Sequence, residues 1–272
     1  MNQSETIDER RVRIGTKVGV QTRPWGPEMN RDCLSEVLAE IASAGYDGFE
    51  IGAQHLDVSQ PEAFRRLIAG HDLEVTGIHV GGEIYDPDSV REALDDLDRI
   101  VGFAAEVGAP FVPFSGQLKS DKTEQEHRYQ AEGLNRIGQL CHDKGLVLCY
   151  HNHFWEIEND CAELRYLCQH TDPSLVSLCL DVGWVERAGG SPVDVAREFL
   201  DRVAYFHLKD TKESEWIEVG CGTVDFSGLI EIIQGHQSKA AGWLVVEQDE
   251  TRRIPAESAR ISRDYLKREF EI

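Results

Sequence analysis

Short unbroken apolar runs alternate along this chain with longer segments whose apolar residues recur every three or four positions. The runs at 12–20, 46–52, 73–80, 109–115, 145–150, 177–183, 203–210 and 243–248 predict strands. The segments between and after them predict helices at 30–45, 61–69, 88–107, 121–144, 160–170, 191–200, 226–235 and 255–268. In the third helix, Leu94, Leu97, Ile100, Val101 and Ala104 make one apolar stripe. Local signals mark some of the ends. Asn30, Arg31 and Asp32 are N-cap candidates, Gly45 closes the first helix, and Pro192 stands at the favoured first position of the sixth. Residues 211–224 predict a loop.

Most of the strand runs are apolar throughout rather than alternating. Both faces of such strands must be buried, as in a parallel sheet covered by helices. Strand–helix alternation eight times over predicts an α/β fold, a (β/α)8 TIM barrel spanning 12–272, with 1–11 as a flexible polar tail. A doubly wound open sheet is the alternative. It wants a glycine-rich phosphate turn after an early strand, and the sequence has none.

The carboxyl ends of these strands carry the chemistry. Tyr150 is followed by His151-Asn152-His153, and positions two apart on a strand share a face. His151 and His153 therefore point the same way, which suits a metal, or a metal with a proton-transfer group. The next three runs end at Asp181, at His207 with Lys209 two beyond, and at Glu247. Glu50 and His79 end the second and third strands. Active sites of barrels lie at this end, so these residues converge on one pocket. Glu50 and His79 are candidates to hold substrate hydroxyls. Trp25, Trp155, Trp184 and Trp216 lie near the same rim and are candidates to pack on the apolar face of a substrate. Gly220 and Gly222 raise phosphate binding, but lack the helix-opening G-x-G-x-x-G context.

The net charge of −21 repels nucleic acid and anionic membranes. No apolar stretch has the length of a membrane span. Seven cysteines without a CxxC pair, several inside apolar runs, suit a reducing compartment. With no apolar leader visible, a cytoplasmic location is expected. These features point to a small-molecule substrate and not to a nucleic acid or membrane partner, and are compatible with a homo-oligomer.

Tyr150-His151-Asn152-His153, Leu180-Asp181-Val182-Gly183, His207-Leu208-Lys209-Asp210, the segment from Gly220 to Phe226, and Gly242-Trp243-Leu244-Val245-Val246-Glu247 resemble the xylose-isomerase-like barrel superfamily of sugar isomerases, epimerases and dehydratases. The likeness covers nearly the whole chain and is strongest to the inosose dehydratases. It implies one divalent metal, Mn(II) or Co(II) favoured, Zn(II) or Fe(II) compatible, held by Asp181, His207 and Glu247. The fourth ligand is His151, with Glu156 as the alternative. The epimerase branch has a glutamate where His151 stands, so a lyase reaction gains over epimerisation. The implied substrate is a keto-inositol or related keto-sugar, dehydrated through an enediolate, with ketose isomerisation or epimerisation on the same site as the alternative. His153 is the candidate base, a second ligand being its other reading. Lys209 and Glu247 complete the catalytic set. A non-catalytic sugar-binding barrel and a nucleic-acid enzyme are the competing classes.

Overall fold

A computed structural model of the protein describes residues 16–235 and 242–272. The strands are β1 (Lys17–Gln21), β2 (Gly48–Gly52), β3 (Glu74–Gly82), β4 (Phe111–Gly116), β5 (Val147–His151), β6 (Val176–Asp181), β7 (Val203–Leu208), β8 (Asp210–Lys212), β9 (Glu215–Ile217) and β10 (Trp243–Val246). The helices are α1 (Gly26–Asp32), α2 (Leu34–Ala44), α3 (Pro61–Ile68), α4 (Pro87–Val107), α5 (Glu124–Asp143), α6 (Phe154–His170), α7 (Val182–Arg187), α8 (Pro192–Phe199), α9 (Phe226–Gly235) and α10 (Pro255–Phe270). Eight strands close in the order β1-β10-β7-β6-β5-β4-β3-β2, and every neighbouring pair is parallel. This is the expected (β/α)8 barrel.

Strand parity sorts the core into two layers. In β5, Leu148 and Tyr150 pack outward with the helices, while Cys149 joins an interior cluster with Phe111, Cys179, Tyr205, Trp243 and Val245. That interior plug fills the barrel below the site. Gly48 makes room for it, since a Cβ there would come within 2.8 Å of the Trp243 ring. Two residues beyond Cys149, Cys179, Tyr205 and Val245 stand His151, Asp181, His207 and Glu247. Alternation therefore stacks all four on the same interior side, one layer above the plug.

Helix ends follow local chemistry. Asp86 accepts from the Asp88 and Ser89 amides at the start of α4, and Gly108 closes it in the left-handed region. Thr123 and Glu126 form a reciprocal capping box, which starts α5 later than 121.

Three expectations need correction. The first helix is two, because Cys33 has non-helical backbone between α1 and α2. The loop at 211–224 contains the β8–β9 hairpin. Its turn residues Glu213 and Ser214 both have positive φ, a conformation usually announced by Asn or Gly, so no hairpin signal stands at this turn. Helix α6 begins at Phe154, with one turn that is interrupted at Glu158–Cys161 before the expected helix resumes. The described part of the first strand starts at Lys17; its earlier part and the 1–11 tail lie outside the described residues. Among the described residues, no helix is long and apolar enough to cross a membrane.

Candidate metal centre and active site

Register brings the four interior side chains to one point. His151 and Asp181 end β5 and β6, His207 stands one residue from the end of β7, and Glu247 follows β10. Asp181 sits opposite His207 across the sheet. The donor atoms of all four lie within 4.8 Å of one another, and all four residues are buried. His151 Nε2 is 3.3 Å from both Asp181 Oδ2 and Glu247 Oε2. His207 Nδ1 lies 2.8 Å from Glu247 Oε2.

Asp181 is held from two sides. Its Oδ1 accepts from the Trp184 amide at 3.0 Å, capping α7. Its backbone is clasped by Asn152, whose Oδ1 accepts from Asp181 N at 2.9 Å and whose Nδ2 donates to Asp181 O at 3.2 Å. Its Oδ2 is buried inside the cluster without a hydrogen-bond partner. A buried carboxylate oxygen without a donor is unfavourable unless a cation meets it. Two imidazole nitrogens and two carboxylates make a donor set for a borderline divalent ion. Ligands on opposite sides of an ion lie roughly twice a ~2.1 Å bond apart. The observed spread of 4.8 Å is close to that, so the residues present fit a single divalent metal.

The surrounding charges are balanced at close range. Lys209 Nζ is fully buried, 2.6 Å from Asp249 Oδ2, 3.6 Å from Asp181 Oδ2 and 3.7 Å from Glu247 Oε2. It also lies 4.8 Å from the Trp184 ring centroid and 4.3 Å from that of Trp216. Burial alone would lower its pKa, but Glu247, Asp181 and Asp249 outweigh burial and raise it. Burial would raise Glu247, yet Lys209 and His207 hold it well below the usual carboxylate range. Asp181 is raised, by burial and by the Glu247 charge, against Lys209 and His151. Burial would lower His151, but Asp181 and Glu247 hold it above its ordinary value.

His151 and Glu247 face a cavity of about 810 Å³ at the carboxyl end of the barrel. One wall is aromatic. His153 stacks on Trp155 with ring centroids 4.4 Å apart and planes 11° apart, and Trp184 lies 5.4 Å from His153. His153 Nδ1 and Trp155 Nε1 are both buried without a partner. Burial, then the nearby His151 charge, lowers His153 to about 2, so its ring is neutral. Gln21, Gln54, His79 and Ser115 line the cavity elsewhere, with Arg23 and Asp249 paired at 3.1 Å.

Not every expected residue reaches this cavity. Trp25 is a core residue, whose indole N–H donates to Glu40 Oε2 at 2.6 Å. Glu50 is fully buried below the cluster; it binds the rings of His79 and His207 and cannot hold a substrate hydroxyl. Lys209 lies behind Trp184 as a buried counter-ion and does not line the cavity. Glu156, the alternative ligand, has both oxygens engaged: Oε1 accepts from the Tyr150 hydroxyl at 2.6 Å and Oε2 from the His153 amide at 2.8 Å. It stays outside the cluster, which leaves His151 as fourth donor. The glycines at 220 and 222 cradle no external phosphate. Their amides donate to Asp210 Oδ2 at 2.9 and 2.8 Å, so an internal carboxylate fills the nest.

Glu156 has a measurable consequence. Burial and the Glu163 charge raise it from its ordinary 4.5 to about 7. A carboxyl raised on folding adds stability below its unfolded pKa, and that stability is lost as pH rises through the folded pKa. The shift corresponds to about 3 kcal/mol lost between pH 4.5 and 7. Relative to Glu156→Gln, the wild type should therefore melt progressively lower as pH rises from 4.5 to 8. A melting-temperature difference that does not change with pH would contradict the shift.

Sequence reasoning missed Ser115, Asn152 and Asp249. Asn152, between two candidate histidines, was the one most open to discovery, since a polar side chain at an outward strand end needs a partner.

Residues 38–269 match the family model of the xylose isomerase-like TIM barrel. The chain belongs to this family. Among its relatives, the inosose dehydratase of Mesomycoplasma hyopneumoniae (strain 7448) is 27% identical over 292 residues, covering 95% of this chain and 96% of that one. A sugar phosphate isomerase/epimerase from Parabacteroides distasonis shares the fold with a TM-score of 0.78 at 20% identity, covering 99% of both chains. A probable 3-DHS dehydratase from Bacillus anthracis does so with a TM-score of 0.74 at 12% identity, covering 92% of this chain and 98% of that one. The proteins that this chain is similar to are thus named as dehydratases and as isomerases or epimerases.

Proposed function

We propose that this protein is a divalent-metal-dependent dehydratase that removes water from a keto-inositol or a related keto-sugar. The observation that carries this reading is the buried four-donor cluster of His151, Asp181, His207 and Glu247, opening onto a cavity with an aromatic wall. The dehydratase relatives support it. A bound divalent ion, Mn(II) or Co(II) by preference, supplies a Lewis acid for a substrate carbonyl and the charge that develops beside it.

The chain's own residues do the rest. Lys209 keeps Glu247 ionised and balances the cluster. Trp184 and Trp155 offer apolar faces to a polyol ring, and Trp155 Nε1 offers it a donor. His153 Nδ1 takes the proton from the carbon beside the carbonyl. Its surroundings depress the basicity of this ring, so the transfer relies on the acidification of that C–H that a Lewis acid would supply, and the imidazolium formed is in turn a strong acid. It returns the same proton to the hydroxyl leaving the next carbon, so one water departs and the ring is neutral again. Epimerisation needs a second acid/base on the opposite face. The position that would supply one carries His151, already committed to the cluster, and Glu156 is engaged with Tyr150. The strong negative charge and the cysteine usage fit a cytoplasmic small-molecule enzyme.

Incubation with keto-inositols and ketohexoses in D₂O with added Mn(II) tests the reaction. Water loss gives a new enone-type absorbance, whereas deuterium uptake without that absorbance would favour the epimerase instead. His153→Ala should keep its metal and lose turnover by about 10²–10⁴-fold; unchanged turnover would remove His153 from the mechanism.

A further inference from the structure

The four-donor cluster rests on a closed ring of hydrogen bonds. Glu50 Oε2 is 2.9 Å from His207 Nε2, and Glu50 Oε1 is 2.9 Å from His79 Nδ1. His79 Nε2 is 2.8 Å from Ser115 Oγ, and Ser115 Oγ is 3.2 Å from His151 Nδ1. Glu247 Oε2 closes the ring, 2.8 Å from His207 Nδ1 and 3.3 Å from His151 Nε2. The Tyr205 hydroxyl also donates to Glu50 Oε2 at 2.7 Å. Glu50 is fully buried at the centre of this arrangement.

Each contact can be given a direction. A carboxylate only accepts. His207 therefore donates from Nε2 to Glu50, and His79 donates from Nδ1. In a neutral His79 that donates from Nδ1, Nε2 is an acceptor, so the Ser115 hydroxyl donates to it. Ser115 Oγ then has only lone pairs left for His151, and His151 donates from Nδ1. With a cation among the carboxylates, the two remaining ring nitrogens, His207 Nδ1 and His151 Nε2, need no proton to face them. These are the two that face Asp181 and Glu247.

We infer that Glu50 is a positioning residue that sets which nitrogen each histidine presents to the metal: Nδ1 of His207 by direct contact, and Nε2 of His151 through His79 and Ser115. This rests on the metal-dependent reading above. Glu50 has this reach because its two oxygens serve different arms of the ring. A glutamine at this position cannot serve both, since one end of its amide must donate. Whichever way that amide turns, one arm reverses, and one histidine then points an N–H at the ion. His79 and Ser115 are positioning residues of the second arm and touch no cluster carboxylate. Partners of this kind behind metal-binding histidines typically contribute 10–100-fold to metal affinity.

The test is a double-mutant cycle read as Mn(II) affinity, with free Mn(II) followed by electron paramagnetic resonance. Glu50→Gln and Ser115→Ala should each weaken binding, Glu50→Gln by about 10–100-fold and Ser115→Ala by less. Because the second arm runs through Ser115, Glu50→Gln should cost less affinity in the Ser115→Ala background than in the wild type. Nitrogen-15 spectra of the Zn(II)-loaded wild type should show His207 bound through Nδ1 and His151 through Nε2. Strictly multiplicative losses, or the opposite nitrogens, would overturn the inference while leaving the metal site intact. A wild type that binds no Mn(II) would sink the metal-dependent reading and this inference with it. If Glu50→Gln does not fold, unchanged Mn(II) affinity in Ser115→Ala overturns the indirect arm by itself.

Discussion

Replacing Asp181 by Asn or Ala should remove the bound metal and the activity together. Asp181 Oδ2 is buried in the cluster without a hydrogen bond, with the Lys209 ammonium no nearer than 3.6 Å, so it is well placed to take an ion. An ion acting as Lewis acid is worth several kcal/mol in the transition state, which corresponds to a fall in kcat/KM of about 10³-fold or more. The two substitutions separate two roles of the same side chain. Asn keeps an oxygen for the Trp184 amide and so preserves the cap on α7. Ala loses the cap as well, at roughly 1 kcal/mol of stability. Metal analysis and melting temperature, measured on both variants, distinguish loss of the ion from loss of the fold. A variant with full metal content would contradict the ligand assignment.

Asp210→Ala should be the most damaging substitution away from the cavity. The Asp210 carboxylate accepts from four backbone amides, those of Thr211 at 2.9 Å, Gly220 at 2.9 Å, Gly222 at 2.8 Å and Val224 at 3.2 Å. Removing it orphans all four, in a loop where each such bond to a charged acceptor is worth about 1.5–3 kcal/mol. Water can reach part of this loop, so the sum is not expected; a loss on the order of 3 kcal/mol is. In a chain of this size that is roughly 6–12 °C in Tm. Gly222→Ala should act in the same direction, because a Cβ there would collide with the Asp210 carboxylate and the Thr211 carbonyl. Thermal unfolding that moves by less than a degree or two in Asp210→Ala would show that the loop is held by something else.

The barrel was legible because burial on both faces leaves a plain mark, unbroken apolar strands separated by striped helices. The cluster was legible for a related reason. Alternation puts His151, Asp181, His207 and Glu247 on the interior side, and one residue at the end of each of four strands is enough to define a site. What surrounds the cluster was hidden, because it depends on neighbours across the sheet. Glu50 reads as a pocket acid from its strand end. Its oxygens are taken from β3 and β7, whose pairing with it no local pattern encodes. Lys209 has the right parity, but Trp184 lies over it, and that depends on how α7 leaves β6. Glu156 shows the opposite limit. It was a plausible ligand by proximity along the chain, yet three residues after His153 it turns back to accept from the His153 amide instead.

On this reading His151, Asp181, His207 and Glu247 together hold one divalent ion. Anomalous diffraction from crystals grown with Mn(II) tests it most directly. A single strong peak within coordination distance of all four side chains is expected. No peak there, or a peak held by other residues, would contradict the account.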